Sequence, residues 1–200
     1  MKIKHSKYRN TGLIYELLVK QIASDTLSRE TSPAVSILKK FFSGKTTLVK
    51  EFKLYEYILK NNNINDIFGL QGGSIVHLFD SLEKHKLNVH YNLHEQSASF
   101  AAVANSKATN KITCVLVTTG PGSTNALTGL LAAWQDSVPV LFISGQARTN
   151  HTSYGKKVRQ VGTQELKINE LVKPITKKTF FINNKDQIES VFYDAINMSN

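Results

Sequence analysis

The chain has a single cysteine, Cys114, in 200 residues, so an internal disulfide framework is excluded and the fold must rest on a packed core. No apolar run approaches the ~20 residues needed to cross a bilayer. The opening MKIKHSKYRN is basic, but the next stretch, LIYELLVKQI, contains Glu16 and Lys20 and is followed by no small-residue cleavage site, so it is not expected to act as a secretory leader. A cytoplasmic chain without a membrane span is the expectation. Several chemistries are missing as well. There is no GxSxG nucleophile elbow, and Cys114 lies inside an apolar run. His90 and His94 are four apart on a strand pattern with no Cys or carboxylate at ligand spacing, so no metal ligand is assigned. FSGKTT, at 42–47, imitates the end of a P-loop, but Lys39 stands where its first glycine belongs and the pattern before it is helical.

The charge is lopsided rather than scarce. Of the net +10, residues 1–60 account for +7, from twelve Lys/Arg against five Asp/Glu, and the other 140 residues for +3. No zinc-finger spacing, helix-turn-helix signature or stacked-aromatic motif accompanies this basicity, so a solvated basic face is expected rather than a nucleic-acid partner.

Two regions differ in pattern. Leu13, Leu17, Leu18 and Ile22 recur at helical period, SRETSP breaks that helix, and Pro33 opens a second one that Gly44 ends. Residues 1–52 therefore read as a basic helical arm, loosely similar to short tailed-phage proteins, a likeness that assigns no chemistry. From 53 to 200 helices and strands alternate. The helices read as KLYEYILKNN, SIVHLFDSLEKH, EQSASFAAVANSKAT, GSTNALTGLLAAWQD, a short one around TQELKINELV, and DQIESVFYDAIN. The strands read as DIFGL, NVHYNL, ITCVLVTT, VPVLFIS and TKKTFFI. ITCVLVTT carries β-branched residues on both faces, as a buried parallel strand does. The fold class is α/β, a parallel sheet with helices on both faces, preceded by the helical arm.

Two features point to a site. Glu95 falls at the carboxyl end of NVHYNL, where open α/β sheets bind ligands. A first-turn glutamate that complements the helix dipole, worth about 0.3–1 kcal/mol, would look the same. GPGSTN, at 120–125, follows a buried strand, with Pro121 in a first helical turn and two glycines that let other groups approach closely. Free amides there suit an anion or a polar ring edge, though tight turns use the same residues. Trp134 reads as helix packing.

FGLQGGSIVHLFDSL, HEQSASFAA, VTTGPGSTNALTGLLAAWQDSVPVLFISGQ and VRQVGTQELKINELVKPITK occur in that order. With these blocks, residues 53–199 resemble the N-terminal pyrimidine-binding (PYR) domain of thiamine-diphosphate enzymes of the acetolactate synthase and pyruvate oxidase group. The resemblance implies that Glu95 matches the glutamate hydrogen-bonded to the pyrimidine N1′ of thiamine diphosphate, as the carboxyl that promotes deprotonation of the thiazolium. It implies that Gly72, Thr118, Gly122 and Asn125 line the cofactor's pyrimidine end and that Gln164 lies on the substrate side. The implied reaction is decarboxylation of a 2-keto acid and addition of the product to a second carbonyl, as in branched-chain amino acid biosynthesis. Two departures stand out: Gln71 where the family commonly has proline, and Thr163 where it has phenylalanine. No Gly-Asp dipeptide occurs, so the diphosphate and its magnesium, and any flavin, are expected on domains outside this stretch. A truncated or split piece is the expectation, dependent on a diphosphate-binding partner in another chain or a missing C-terminal part and forming a homo- or hetero-oligomer. The alternative is a non-catalytic binding or assembly protein that reuses the scaffold, its basic arm contacting a partner or nucleic acid.

Overall fold

The structure is a computed structural model that describes residues 59–199 except position 85. The arm expected over 1–52 lies outside the described residues, as does most of KLYEYILKNN, of which 59–61 are helical. Strands β1 (Asp66–Gly69), β2 (Asn88–Tyr91), β3 (Thr113–Val117) and β4 (Val140–Ser144) form a sheet in the order β2-β1-β3-β4, with every neighbouring pair parallel. Parallel neighbours need crossovers, and helices supply them. These are α1 (Val76–Lys84), α2 (Glu95–Thr109), and α3 (Pro121–Asn125) with α4 (Leu127–Gln135); α5 (Ile168–Val172) and α6 (Ile188–Ser199) follow β4.

Strands β3 and β4 show the sheet's two-sided burial. Every position of β3 and β4 is buried. On one face Cys114, Leu116, Leu141 and Ile143 pack against Leu78, Phe79 and Leu82 of α1 and Phe192 and Ile196 of α6. On the other, Val115, Val117, Val140 and Phe142 pack against Ala102 and Val103 of α2, Leu130 and Ala133 of α4, and Ile168 and Val172 of α5. Each fully buried Phe or Leu contributes about 1.5–3 kcal/mol relative to exposure. β2, at the sheet edge, is exposed except for a half-buried Val89, which matches its polar sequence NVHY.

Helix α2 begins where its sequence says it should. His94 is extended (φ −154°, ψ 143°), and its Nδ1 accepts from the Gln96 amide at 3.1 Å. This cap makes Glu95 the first helical residue. Small side chains let α2 lie close to α4: a Cβ at Gly129 would stand 2.2 Å from Ser99 Oγ. Asn110 closes the helix in the left-handed region, at φ 54°.

Two expectations fail. The single helix expected over 122–136 is two, α3 and α4, joined at Ala126. Ser123 Oγ donates to Gly120 O at 2.8 Å and Thr124 Oγ1 to Pro121 O at 3.1 Å, so hydroxyls take up carbonyls of the first turn and tighten it. The strand expected over TKKTFFI does not form; only Ile182 makes an isolated bridge. Its polar groups have other partners. Thr176 Oγ1 donates to Val172 O at 3.1 Å, Lys177 Nζ to Met198 O, and Phe180 O accepts from Asn169 Nδ2 at 3.2 Å.

Candidate functional site

The strand order places β2 on one side of β1 and β3 on the other. The connections leaving β1 and β3 therefore diverge at their carboxyl ends, and such a switch point opens a crevice there. The turn after β1 brings Gly72 into that crevice, and the turn after β3 brings Thr118 and Gly122. The helix after β2 starts on Glu95.

These residues converge. A Cβ on Gly72 would lie 2.4 Å from Thr118 Cβ, and one on Gly122 would lie 2.6 Å from Thr118 Cγ2 and 3.0 Å from Glu95 Oε1. Glycine is required at both positions because Thr118 occupies the space that any side chain would need. Glu95 is buried, at 7% exposure, and its Oε2 accepts from Asn125 Nδ2 at 3.0 Å. Asn125 thereby fixes the carboxyl's orientation, and Oε1 is the oxygen turned towards Gly122. Thr118 is held in turn: its Oγ1 shares a 2.8 Å hydrogen bond with Ser74 Oγ, which also accepts from the Thr119 amide at 3.2 Å.

Gln164 takes part differently. Its side chain is exposed, whereas its backbone backs the glycine turn. Gln164 O would lie 2.3 Å from a Cβ at Gly120, which has φ +63°, and it faces Thr119 Oγ1 at 3.3 Å. Gln71 donates to the Tyr91 hydroxyl at 3.1 Å, and that hydroxyl donates to Glu83. Burial and the Glu83 carboxylate together push the Tyr91 hydroxyl above its ordinary value. Thr163 is exposed beside Gln164.

Three contributors were not singled out from sequence. Ser74 ties the turn after β1 to the end of β3. Gln146, 2% exposed, accepts from Thr119 Oγ1 at 3.1 Å and donates to Leu166 O at 2.7 Å. Glu165, 9% exposed, accepts backbone hydrogen bonds from Ser153, from Val161 at 2.8 Å and from Gly162 at 3.4 Å. Burial pushes the Glu165 carboxyl up, but the bonds from Ser153, Val161 and Gly162 outweigh it and leave the group below the usual carboxylate range. The usable signal was polarity directly after a buried strand (SGQ) and inside a loop bounded by glycine (GTQE).

The fold is thus a parallel α/β domain with a shielded carboxylate over a glycine cradle at its switch point. Residues 53–171 match the family described as thiamine pyrophosphate enzyme, N-terminal TPP binding domain, and the chain belongs to that family. It is 37% identical over 164 residues to the acetolactate synthase large subunit of Cyanidium caldarium, covering 78% of this chain and 26% of that protein. The acetolactate synthase large subunit of Haemophilus influenzae is 34% identical over 140 residues, covering 68% and 23%. The isozyme 3 large subunit of Escherichia coli K12 is 32% identical over 138 residues, again covering 68% and 23%. The chain thus spans about a quarter of the length of these curated relatives. Among the described residues no helix is long and apolar enough to cross a membrane.

Proposed function

We propose that this chain supplies the pyrimidine-binding half of a thiamine-diphosphate site that decarboxylates a 2-keto acid and joins the product to a second carbonyl, in the manner of acetolactate synthase. The observation that carries this reading is the buried Glu95, bonded to a half-buried Asn125 beside the cradle of Gly72, Thr118 and Gly122. The residues present fit the group: a Cβ at either glycine would fill the cradle, and one carboxyl oxygen stays turned towards it.

Thiamine diphosphate, when bound, supplies the carbon centre at which the keto acid loses carbon dioxide. The chain's own residues bind, orient and move a proton. Thr118, kept in place by Ser74, forms a wall against which an aminopyrimidine ring can lie. Glu95 holds or releases a proton at Oε1, while Asn125 keeps the carboxyl from turning away. Burial shields the carboxyl from water, so a proton held at Oε1 would be exchanged with a bound group rather than with solvent. Gln164 is the residue of the substrate side.

The diphosphate and its magnesium, and flavin if the enzyme uses it, belong in this reading to other domains, in the same polypeptide or in another chain. The assembled protein is a homo- or hetero-oligomer working in the cytoplasm. The break at residue 52 divides a basic arm from the pyrimidine domain, a reading supported by the family match beginning at 53. The test is carboligation from pyruvate after assembly with a diphosphate-binding partner domain. Product formation that requires this chain, thiamine diphosphate and Glu95 supports the reading, and activity unchanged by Glu95→Gln contradicts it.

A further inference from the structure

Glu95 and Glu165 are the two buried carboxylates among the described residues. The Glu165 carboxylate bonds to the 153–162 loop, and the residues on either side of it do the docking. Gln164 O meets Thr119 Oγ1 at 3.3 Å, and Leu166 O accepts from Gln146 Nε2 at 2.7 Å. Gln146 Oε1 in turn accepts from Thr119 Oγ1 at 3.1 Å and from the Ala147 amide at 2.8 Å. Thr119 directly precedes the Gly120 turn, and that turn leaves no room for a Cβ because Gln164 O is there. Gln164 itself stands in the left-handed region at φ 59°, a conformation that a non-glycine residue keeps only when its surroundings impose it.

Next to Gln164 in sequence, the Glu165 carboxylate is bonded on both oxygens. One oxygen accepts from the Ser153 amide, and the other accepts from Val161 at 2.8 Å and Gly162 at 3.4 Å. Ser153 is 1% exposed, so the anchor point is itself inside the molecule. A carboxylate that collects backbone amides from two stretches of one loop fixes both stretches at once, because each bond to a charged acceptor is stronger than one between neutral groups.

We propose that Glu165 is a positioning residue: its carboxylate ties the 153–162 loop to the Gln164–Leu166 segment and so holds that segment against the Gly120 turn beside Glu95 and Asn125. Its importance for catalysis rests on the pyrimidine-site reading above; its structural coupling does not. The test uses the full 200-residue chain and residue-resolved amide hydrogen exchange on Glu165→Gln and Glu165→Asp. Glutamine keeps the size but presents an amide donor to backbone donors; aspartate is shorter but keeps the charge. The expected order of protection is wild type, then Asp, then Gln. In Gln, exchange accelerates roughly tenfold or more both at 153–162 and at 122–125, while Val115 and Phe192 exchange as in wild type.

A glutamine variant that matches wild type, or acceleration confined to 153–162, overturns the proposal. Should the glutamine variant fail to fold, the aspartate variant is read against wild type by the same two criteria. Failure of the pyrimidine site has a different signature: a fully active Glu95→Gln enzyme sinks that reading and leaves the exchange ranking for Glu165 intact.

Discussion

Glu95 and Glu165 are buried to nearly the same extent, 7% and 9% exposed, yet they are satisfied in opposite ways. Glu165 gives both oxygens to backbone amides. Glu95 takes one hydrogen bond, from the Asn125 side chain, and keeps the other oxygen towards a cradle of two glycines and a threonine. Burying a carboxylate costs free energy unless hydrogen bonds compensate, so a fully satisfied carboxylate is a fastener. In the proposed reading Glu95, bonded on one oxygen at the switch point, is the carboxylate that meets the ligand.

Glu95→Gln is the sharpest way to break the contrast. It preserves shape and the Asn125 contact but removes the titratable group. In the assembled enzyme carboligation should fall by roughly tenfold to a hundredfold or more, with the near-ultraviolet dichroism of the chain unchanged.

Gly122→Ala comes next. Its Cβ would stand 2.6 Å from Thr118 Cγ2 and 3.0 Å from Glu95 Oε1, so the cradle must distort, at about 1–3 kcal/mol. Replacing Thr118 by serine in the same chain removes Cγ2 and should restore part of the loss. A double-mutant cycle in chemical denaturation reads that coupling directly.

Glu165→Gln should destabilise the fold by about 1.5–3 kcal/mol at neutral pH, since the carboxylate accepts as a charged group. The sign with pH follows from its lowered folded value. The contribution is complete above the carboxyl's unfolded value and is lost as pH falls through the folded one, because the unfolded chain takes up the proton first. Denaturation of wild type and variant over an acidic series should therefore show the gap closing as pH drops. A constant gap would mean that the amides do not depend on the charge.

The smallest effect belongs to Thr163→Phe. Thr163 is exposed next to Gln164, so stability should hardly change, and the ratio of competing acceptor carbonyls should shift by roughly tenfold at most. Product ratios from mixed 2-keto acids measure it.

The parallel sheet was legible because ITCVLVTT and VPVLFIS are apolar on both faces, a pattern that only two-sided burial explains. The start of α2 was legible from Glu95 directly after the strand pattern NVHYNL, whereas its cap, the His94 Nδ1, was not. The break at Ala126 was not, since Ser123 and Thr124 back-bonding to carbonyls leaves no mark in a helical hydrophobic pattern. TKKTFFI has the composition of a strand, but side-chain partners elsewhere satisfied the groups a ladder would have used. In the site, close approach at the GPG turn was readable from its glycines, whereas Gly72, Thr118 and Asn125 were named only through the family resemblance. Glu165 was not, because a loop glutamate reads the same whether water or three amides surround it.

The most direct test of the central claim is a crystal structure of the assembled protein with thiamine diphosphate bound. The account expects a pyrimidine ring nitrogen within hydrogen-bond distance of Glu95 Oε1, about 2.5–3.2 Å, with Asn125 still on Oε2. A ring lying elsewhere, with the Glu95 carboxyl bonded only to protein, would contradict it.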